Sequence, residues 1–226
     1  MTDETQAFDG TFDLGRAQRA ELEAYSKRSR SPVFVVLKRV FDILSAVLAL
    51  PVVVLMAGVL LLINPIWNPG PLIFAQTRMG RRCRPFQAYK FRTMRQVAKV
   101  DRGPDDPLET DRITPLGRFL RRTRIDEFPQ FLNVLMGQMS LVGPRPDCWE
   151  HAVHYAEHIP GYRRRYVMRP GITGLAQVDN GYAEGTDATT VKTRHDLRYI
   201  AQAGFALDWY ILRRTVRVML TGFGAR

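Results

Sequence analysis

The chain has 226 residues, with 33 Lys and Arg against 22 Asp and Glu, a formal net charge of +11. This length supplies one domain with a real core plus a tail, and the charge favours anionic partners: nucleic acid, a phospholipid surface or a phosphate-bearing substrate. Two cysteines, Cys83 and Cys148, exclude a disulfide framework and a C-x-x-C redox pair. They fit a reducing compartment, with a single disulfide left open.

Residues 1–31 are polar and lack the apolar stretch of a signal peptide, so they read as a flexible arm. Residues 43–63 (ILSAVLALPVVVLMAGVLLLI) are 21 positions without a charge. A straight helix of that length reaches roughly 31 Å, about one bilayer core. It is apolar on every face, which sets it apart from a core helix. Pro51, near its middle, removes a backbone hydrogen bond and bends it. Lys27, Arg28, Arg30, Lys38 and Arg39 precede the segment, and Arg78, Arg81, Arg82 and Arg84 follow it. Positive residues prefer the cytoplasmic side, so both ends favour one face. A helix that breaks at Pro51 and returns fits this pattern, and a bent full span stays open beside it.

Residues 64–74 (NPIWNPGPLIF) are turn-rich, with Trp67 placed as an interfacial anchor. Two short strands are expected at 72–77 and 85–91 around a turn at Gly80. Residues 96–112 read as a loop. A helix is expected over 115–122, with Leu116, Phe119 and Leu120 on one face. A second begins near Pro129, with Phe131, Leu132 and Leu135 inward and Gly137 as its stop. Residues 141–147 read as a tight loop, 148–158 as a helix, and 167–182 as irregular. Two helices follow at 189–203 and 205–220. In the last, Phe205, Trp209, Leu212, Val216, Met219 and Leu220 share an apolar face opposite Arg213, Arg214 and Arg217. That face suits a headgroup layer and suits a protein core equally well. The fold class expected is mainly α with a small β-hairpin element, one membrane-inserted kinked helix and interfacial amphipathic helices.

Asp126 and Glu127 stand just before a predicted helix start, beside Arg118, Arg121, Arg122 and Arg124. An acidic pair there serves the helix dipole and surface pairing. The surroundings offer more. The helix end and the arginines are expected to hold Asp126 ionised near neutral pH. An ionised carboxylate can attack phosphorus and can ligate Mg²⁺, which shares its oxygen ligands with substrate phosphates. Arginines stabilise phosphoryl charge. Nucleophile, metal ligand and anion clamps are the parts of a phosphoryl transfer.

Five stretches carry a resemblance: KRVFD (38–42), YKFRTM (89–94), TPLGRFLRRTRIDEFPQFLNVLMGQMSLVGPRP (114–146), RPGITGLAQV (169–178) and DLRYIAQAGFALDWYILRRTV (196–216). In order and spacing the chain resembles the bacterial sugar transferases, the monotopic phosphoglycosyl transferases, over residues 33–220, and it resembles their minimal catalytic unit. The resemblance implies that Asp126 attacks the phosphate next to the sugar of a UDP-sugar. UMP leaves, a phosphosugar stays on Asp126, and undecaprenyl phosphate takes it to begin an exopolysaccharide or other surface glycan. It implies Mg²⁺, held by Asp126 and Glu127, with Glu127 assisting metal or proton handling. Lys90, Arg121, Arg145, Arg169 and Gln177 become the expected substrate-binding residues. The domains implied are an arm over 1–31, a membrane-inserted helix over 32–66 that breaks at Pro51 and re-enters the same face, and a catalytic domain over 67–226 at the cytoplasmic face of the bacterial inner membrane. Where the family often has Ser-Pro, this chain has Leu50-Pro51, and leucine cannot satisfy a carbonyl freed by the bend. GYAEGTD (181–187) resembles the branch using UDP-glucose or UDP-galactose more than the N-acetylated branch.

Cys148, His151, His154 and His158 align along a helix, but an interleaved Tyr and Glu and the lack of a second cluster argue against zinc. The arginine run 118–124 lacks an aromatic RNA motif or a DNA-reading fold, which argues against nucleic acid. The rival to the transferase is a membrane-anchored basic scaffold or nucleic-acid-binding protein without catalysis. The sequence decides neither the sugar nor whether the chain is a monomer or a homodimer.

Overall fold

A computed structural model describes residues 20, 31–97, 103–180 and 185–221. The arm expected over 1–31 and the first four residues of GYAEGTD therefore lie almost wholly outside the described residues. Helix α1 runs over Pro32–Trp67, with Pro51 and Pro65 inside it. It begins eleven positions before the uncharged stretch, because the charges there find partners on the domain. Lys38 Nζ lies 2.5 Å from Asp208 Oδ2. Asp42 Oδ1 accepts from the Leu141 amide at 3.0 Å. Arg39 donates to the carbonyls of Val134 and Leu135 at 2.8 and 3.2 Å. Apart from Ala46, Val53, Leu60 and Asn64, the rest of α1 is largely bare: Leu48 is 78% and Leu62 80% exposed. Such a helix is long and apolar enough to cross a membrane, and a buried core helix is excluded.

The far end of α1 is tied down as well. Asn64 Nδ2 donates to the Gly70 carbonyl at 2.7 Å, and Asn68 Nδ2 to the Arg92 carbonyl at 2.8 Å. Leu60 packs with Phe91 and Leu120. Both ends of α1 therefore grip the same globular body. Strands β1 (Ile73–Met79) and β2 (Pro85–Phe91) follow as an antiparallel hairpin, Ile73 opposite Phe91 and Met79 opposite Pro85. Both strands lie close to where the alternation placed them.

Helix α2 (Pro115–Thr123) is capped by Thr114, whose side chain accepts from the Gly117 amide at 3.0 Å. Gly117 is required by proximity: a Cβ there would meet the Thr93 carbonyl oxygen at 2.0 Å. Arg124 ends α2 in the left-handed region, φ 60° and ψ 12°, an uncommon conformation for a residue with a side chain. The chain then enters a 3₁₀ turn, Ile125–Glu127, and helix α3, Gln130–Leu135.

Helix α3 corrects one expectation. Phe131 and Leu135 pack on the core as expected, but Leu132 is 40% exposed and the fully buried residues are Gln130, Asn133 and Val134. The rotation is set by a polar residue that hydrophobic periodicity does not weigh. Asn133 accepts from the Tyr89 amide at 3.0 Å and donates to the Gln87 carbonyl at 2.6 Å, tying α3 to β2. The loop expected at 141–147 and the irregular stretch expected at 167–182 also hold regular structure. Strand β3 (Ser140–Val142) pairs in parallel with β4 (Gly171–Thr173), and helix α5 spans Leu175–Asn180. A Cβ on Gly171 would meet the Gly143 amide nitrogen at 2.2 Å, so these backbones touch directly.

Helix α4 (Trp149–His158), a 3₁₀ segment (Tyr162–Val167), α6 (Gly185–Gln202) and α7 (Phe205–Thr221) complete the body. Helix α7 turns Asp208 and Ile211 into the core and leaves Phe205, Trp209 and Val216 exposed, Trp209 at 67%. The Phe205 ring meets Phe34 of α1 edge to face at 5.0 Å. The apolar face of α7 is largely outward beside the base of α1, with Leu212 packed on the core, an arrangement that suits a headgroup-layer helix.

Candidate active site

Three elements bring the acidic pair together with its cations. The left-handed turn at Arg124 reverses the chain after α2 and delivers Asp126 and Glu127 inward, 5% and 6% exposed. Strand β2 contributes Lys90, whose Nζ lies 3.0 Å from Glu127 Oε1. The segment after β3 contributes Arg145. Its Nη1 donates to Glu127 Oε2 at 3.0 Å and to the Ile172 carbonyl at 3.2 Å, and its Nη2 closes on Glu127 Oε1.

The two carboxylates are not equivalent. Burial alone would raise the pKa of Glu127, but Arg145 and Lys90 outweigh it and hold the group well below the usual carboxylate range. Burial pushes Asp126 up to about 6; the neighbouring Glu127 charge adds to that, and Lys90, Arg145 and Arg121 oppose it. Asp126 is thus mostly ionised near neutral pH as expected, but against its burial rather than because the cations prevail. Desolvation is the larger effect. Asp126 Oδ1 is buried without a hydrogen-bond partner.

Arg121, on the last turn of α2, aims across to the segment that follows β2. Its Nε donates to Thr93 Oγ1 at 3.0 Å, and its charge is felt at Asp126. Gln177 of α5 donates from Nε2 to the Ile172 carbonyl at 3.3 Å, the same carbonyl that Arg145 uses, and its Oε1 is buried without a partner. The structure thus gathers Asp126, Glu127, Lys90, Arg121 and Arg145, with Gln177 at the edge through Ile172. Arg169 goes elsewhere. Its Nε donates to the Gly137 carbonyl at 2.8 Å, at the far end of α3. Pro51 lies inside α1, away from these residues.

Sequence reasoning missed what holds Arg145. Arg165, fully buried, donates to the Arg145 carbonyl at 2.9 Å, to Asp147 Oδ2 at 2.7 Å and to Asp196 Oδ2 at 2.7 Å. Lys192 closes on Asp147 Oδ1, and Tyr162 donates to Oδ2 at 2.7 Å. Burial works against the Asp147 charge, yet Lys192 and Arg165 hold it well below the ordinary range. Arg165 and Asp147 lie in arginine-rich or proline-rich stretches, and their partners are far off in sequence, so nothing local marks them.

The acidic pair fits a divalent cation on one side. Asp126 Oδ1 is an orphaned buried oxygen, the feature a hard cation satisfies. Glu127 fits less directly, because Arg145 and Lys90 already engage both of its oxygens. No group of three or more His, Cys, Asp or Glu among the described residues could hold a metal. Mg²⁺ is commonly held by one or two carboxylates plus substrate phosphates, so the smaller set is sufficient. The histidines of α4 form no such centre: His154 stacks on His158 at 4.1 Å between ring centres.

Comparison with known proteins gives consistent results. A family model described as "Bacterial sugar transferase" matches residues 33–222. The chain is 44% identical over 200 residues to the UDP-N-acetylgalactosamine-undecaprenyl-phosphate N-acetylgalactosaminephosphotransferase of Aeromonas hydrophila, a match covering 87% of this chain and 46% of that one. It is 41% identical to the exopolysaccharide production protein PSS of Rhizobium leguminosarum bv. phaseoli, covering 82% and 96%. It is 43% identical to the UDP-glucose:undecaprenyl-phosphate glucose-1-phosphate transferase of Caulobacter vibrioides, covering 81% and 70%. The chain thus spans about half the length of the Aeromonas relative and nearly all of the Rhizobium one.

Proposed function

Since the chain belongs to the bacterial sugar transferase family, we propose that it moves a sugar-1-phosphate from a UDP-sugar to undecaprenyl phosphate, with Asp126 as the covalent carrier. The observation that carries this reading is the asymmetry of the pair. Glu127 is spent on Arg145 and Lys90, while Asp126 keeps a free, desolvated oxygen. A desolvated carboxylate with a raised pKa is a better nucleophile than a solvated one.

In the proposed reaction an Asp126 oxygen forms a bond to the phosphorus that bears the sugar. The bond from that phosphorus to the oxygen bridging to the uridine phosphate breaks, and UMP leaves with the electron pair. A phosphate oxygen of the lipid acceptor then attacks the same phosphorus. The bond to Asp126 breaks, the carboxylate is restored, and a polyprenyl-diphosphate sugar departs. Lys90, Arg121 and Arg145 face the phosphate charge in both steps, and Glu127 orients two of these three cations. Asp126, together with substrate phosphates, would hold Mg²⁺, which would neutralise part of the diphosphate charge.

The same proposal places the chain at the cytoplasmic face of the bacterial inner membrane, as a catalytic body over 67–226 carried by a membrane-inserted helix over 32–66. Three features support a re-entrant course for that helix: basic residues at both ends, both ends tied to one body, and proline at position 51. The relatives' names divide between N-acetylgalactosamine and glucose, so the donor is best found by trial. The test is UMP release by membrane-embedded enzyme offered undecaprenyl phosphate and a panel of UDP-sugars with Mg²⁺. Release with one donor, lost in Asp126→Asn, is the expected result. A folded enzyme that releases no UMP with any donor would overturn the reading.

A further inference from the structure

A second cationic cluster lies apart from the acidic pair. Arg39 of α1, Arg81 of the β1–β2 turn and Arg169 before β4 line one pocket together with Asp42, and Phe34 borders it on the membrane-helix side. Lys38 also reaches this pocket, but Asp208 neutralises it. Three guanidinium groups therefore face one carboxylate. Two of the three are partly occupied: Arg39 binds the carbonyls of Val134 and Leu135, and Arg169 binds that of Gly137. Those carbonyls are the C-terminal end of α3, which favours cations. Arg81 has no such reason to be there. Its Nε is buried and makes no hydrogen bond.

The cluster repels itself. Arg169 is shifted below its ordinary pKa by burial and by the charges of Arg39 and Arg81, with Asp42 opposing. Arg81 is shifted down by burial and by Arg82. An unbalanced, partly desolvated group of cations costs free energy unless an anion completes it.

Location narrows the anion. The acidic pair precedes α3 and the cluster follows it, so nine residues of mostly helical chain separate the two sites by roughly 13 Å. A phosphate bound here is not in position to react at Asp126. The pocket sits where α1 leaves the globular body, beside the Phe34–Phe205 contact and the outward apolar face of α7. On the reading that α1 lies in the membrane, this is the depth of lipid headgroups. Guanidinium groups bind phosphate oxygens by paired, charge-assisted hydrogen bonds.

We propose that Arg39, Arg81 and Arg169 form a second, non-reacting phosphate site that holds a lipid-borne phosphate at the base of α1. Its two sources are the headgroup of an anionic glycerophospholipid and the phosphate of a waiting polyprenyl acceptor. The occupant completes the contact between α1 and the end of α3, so it couples the lipid environment to the elements that carry the acidic pair.

The test is lipid binding by the full chain in detergent, followed by native mass spectrometry without any donor present, so that its outcome is independent of transfer. Phosphatidylglycerol, undecaprenyl phosphate and diacylglycerol, which lacks a phosphate, are titrated separately. At least one phosphate lipid should bind more tightly than diacylglycerol, and the tighter of the two identifies the source. Arg81→Gln should weaken that binding about tenfold, the loss of one charge-assisted contact. Arg81→Lys should recover part of it, and Arg198→Gln, an exposed cation on α6, should leave it unchanged. Diacylglycerol binding as tightly as both phosphate lipids would overturn the proposal. So would undiminished binding in both Arg81→Gln and the Arg81→Gln/Arg169→Gln double variant.

Discussion

Arg145 grips Glu127 with both of its terminal nitrogens, Nη1 at 3.0 Å from Oε2 and Nη2 on Oε1. That fork makes Glu127 the counter-charge of the site and leaves Asp126 as the carboxylate with a free oxygen. Glu127→Gln therefore strands Arg145 and Lys90 against a neutral amide in a buried place. The expected cost is about 3 kcal/mol of stability, read as a lower urea midpoint, together with weaker donor binding. A variant as stable as wild type would show that the fork is not what organises these cations.

The pH behaviour of Asp126 follows from its raised pKa of about 6. A carboxyl group whose folded pKa lies above its unfolded value favours folding fully below the unfolded value, near 4. That contribution is lost as pH rises through 6. Asp126 thus destabilises the fold at neutral pH by about 3 kcal/mol. Asp126→Asn should melt several degrees above wild type at pH 7.5, and the gap should close as pH falls toward 4. Activity should run the other way, rising through pH 6 as the nucleophile ionises. A gap that widens in acid would contradict the assignment.

Gly117→Ala places a methyl group 2.0 Å from the Thr93 carbonyl oxygen. Helix α2 must then move off the segment after β2, and Arg121 loses its seat on Thr93. Overpacking of this kind costs about 1–3 kcal/mol. Turnover should fall more than stability does, because Arg121 is displaced even in the folded fraction. Equal activity per folded molecule would separate Arg121 from the reaction.

Much of this was legible in the sequence, and the misses share a cause. The hairpin, α2, α4, α6 and α7 announce themselves through apolar periodicity and turn residues, both of which are local. The acidic pair stands out by its charged surroundings, Lys90, Arg121 and Arg145 come from the family resemblance, and the fold brings these five together. The short parallel pair β3–β4 was not, because its partners are about thirty positions apart and its strands have three residues each. On α3 only Leu132 was misplaced, because Asn133, a polar residue, takes the inward position, while Phe131 and Leu135 pack on the core as expected. Arg169 was grouped with the substrate-binding residues by its neighbours in sequence, whereas the fold carries it to the opposite end of α3.

The buried network behind Arg145 predicts acid sensitivity. Asp147 is held well below the ordinary carboxylate range by Lys192 and Arg165, so its contribution is present above about pH 4 and is lost as pH falls below that. Asp147→Asn leaves Lys192 and Arg165 undercompensated in the core. The expected loss is about 3–5 kcal/mol at neutral pH, measured by thermal unfolding, and it should shrink in acid. A mild effect independent of pH would mean that Asp147 is solvated and not part of the network.

The most direct test of the central claim is the mass of the enzyme after exposure to its UDP-sugar with the lipid acceptor withheld. A carrier mechanism predicts one sugar-phosphate per chain, located by peptide mapping to Asp126, absent in Asp126→Asn, and discharged when undecaprenyl phosphate is added. UMP production that requires both substrates together, with no adduct formed under any acceptor-free condition, would contradict the covalent role of Asp126.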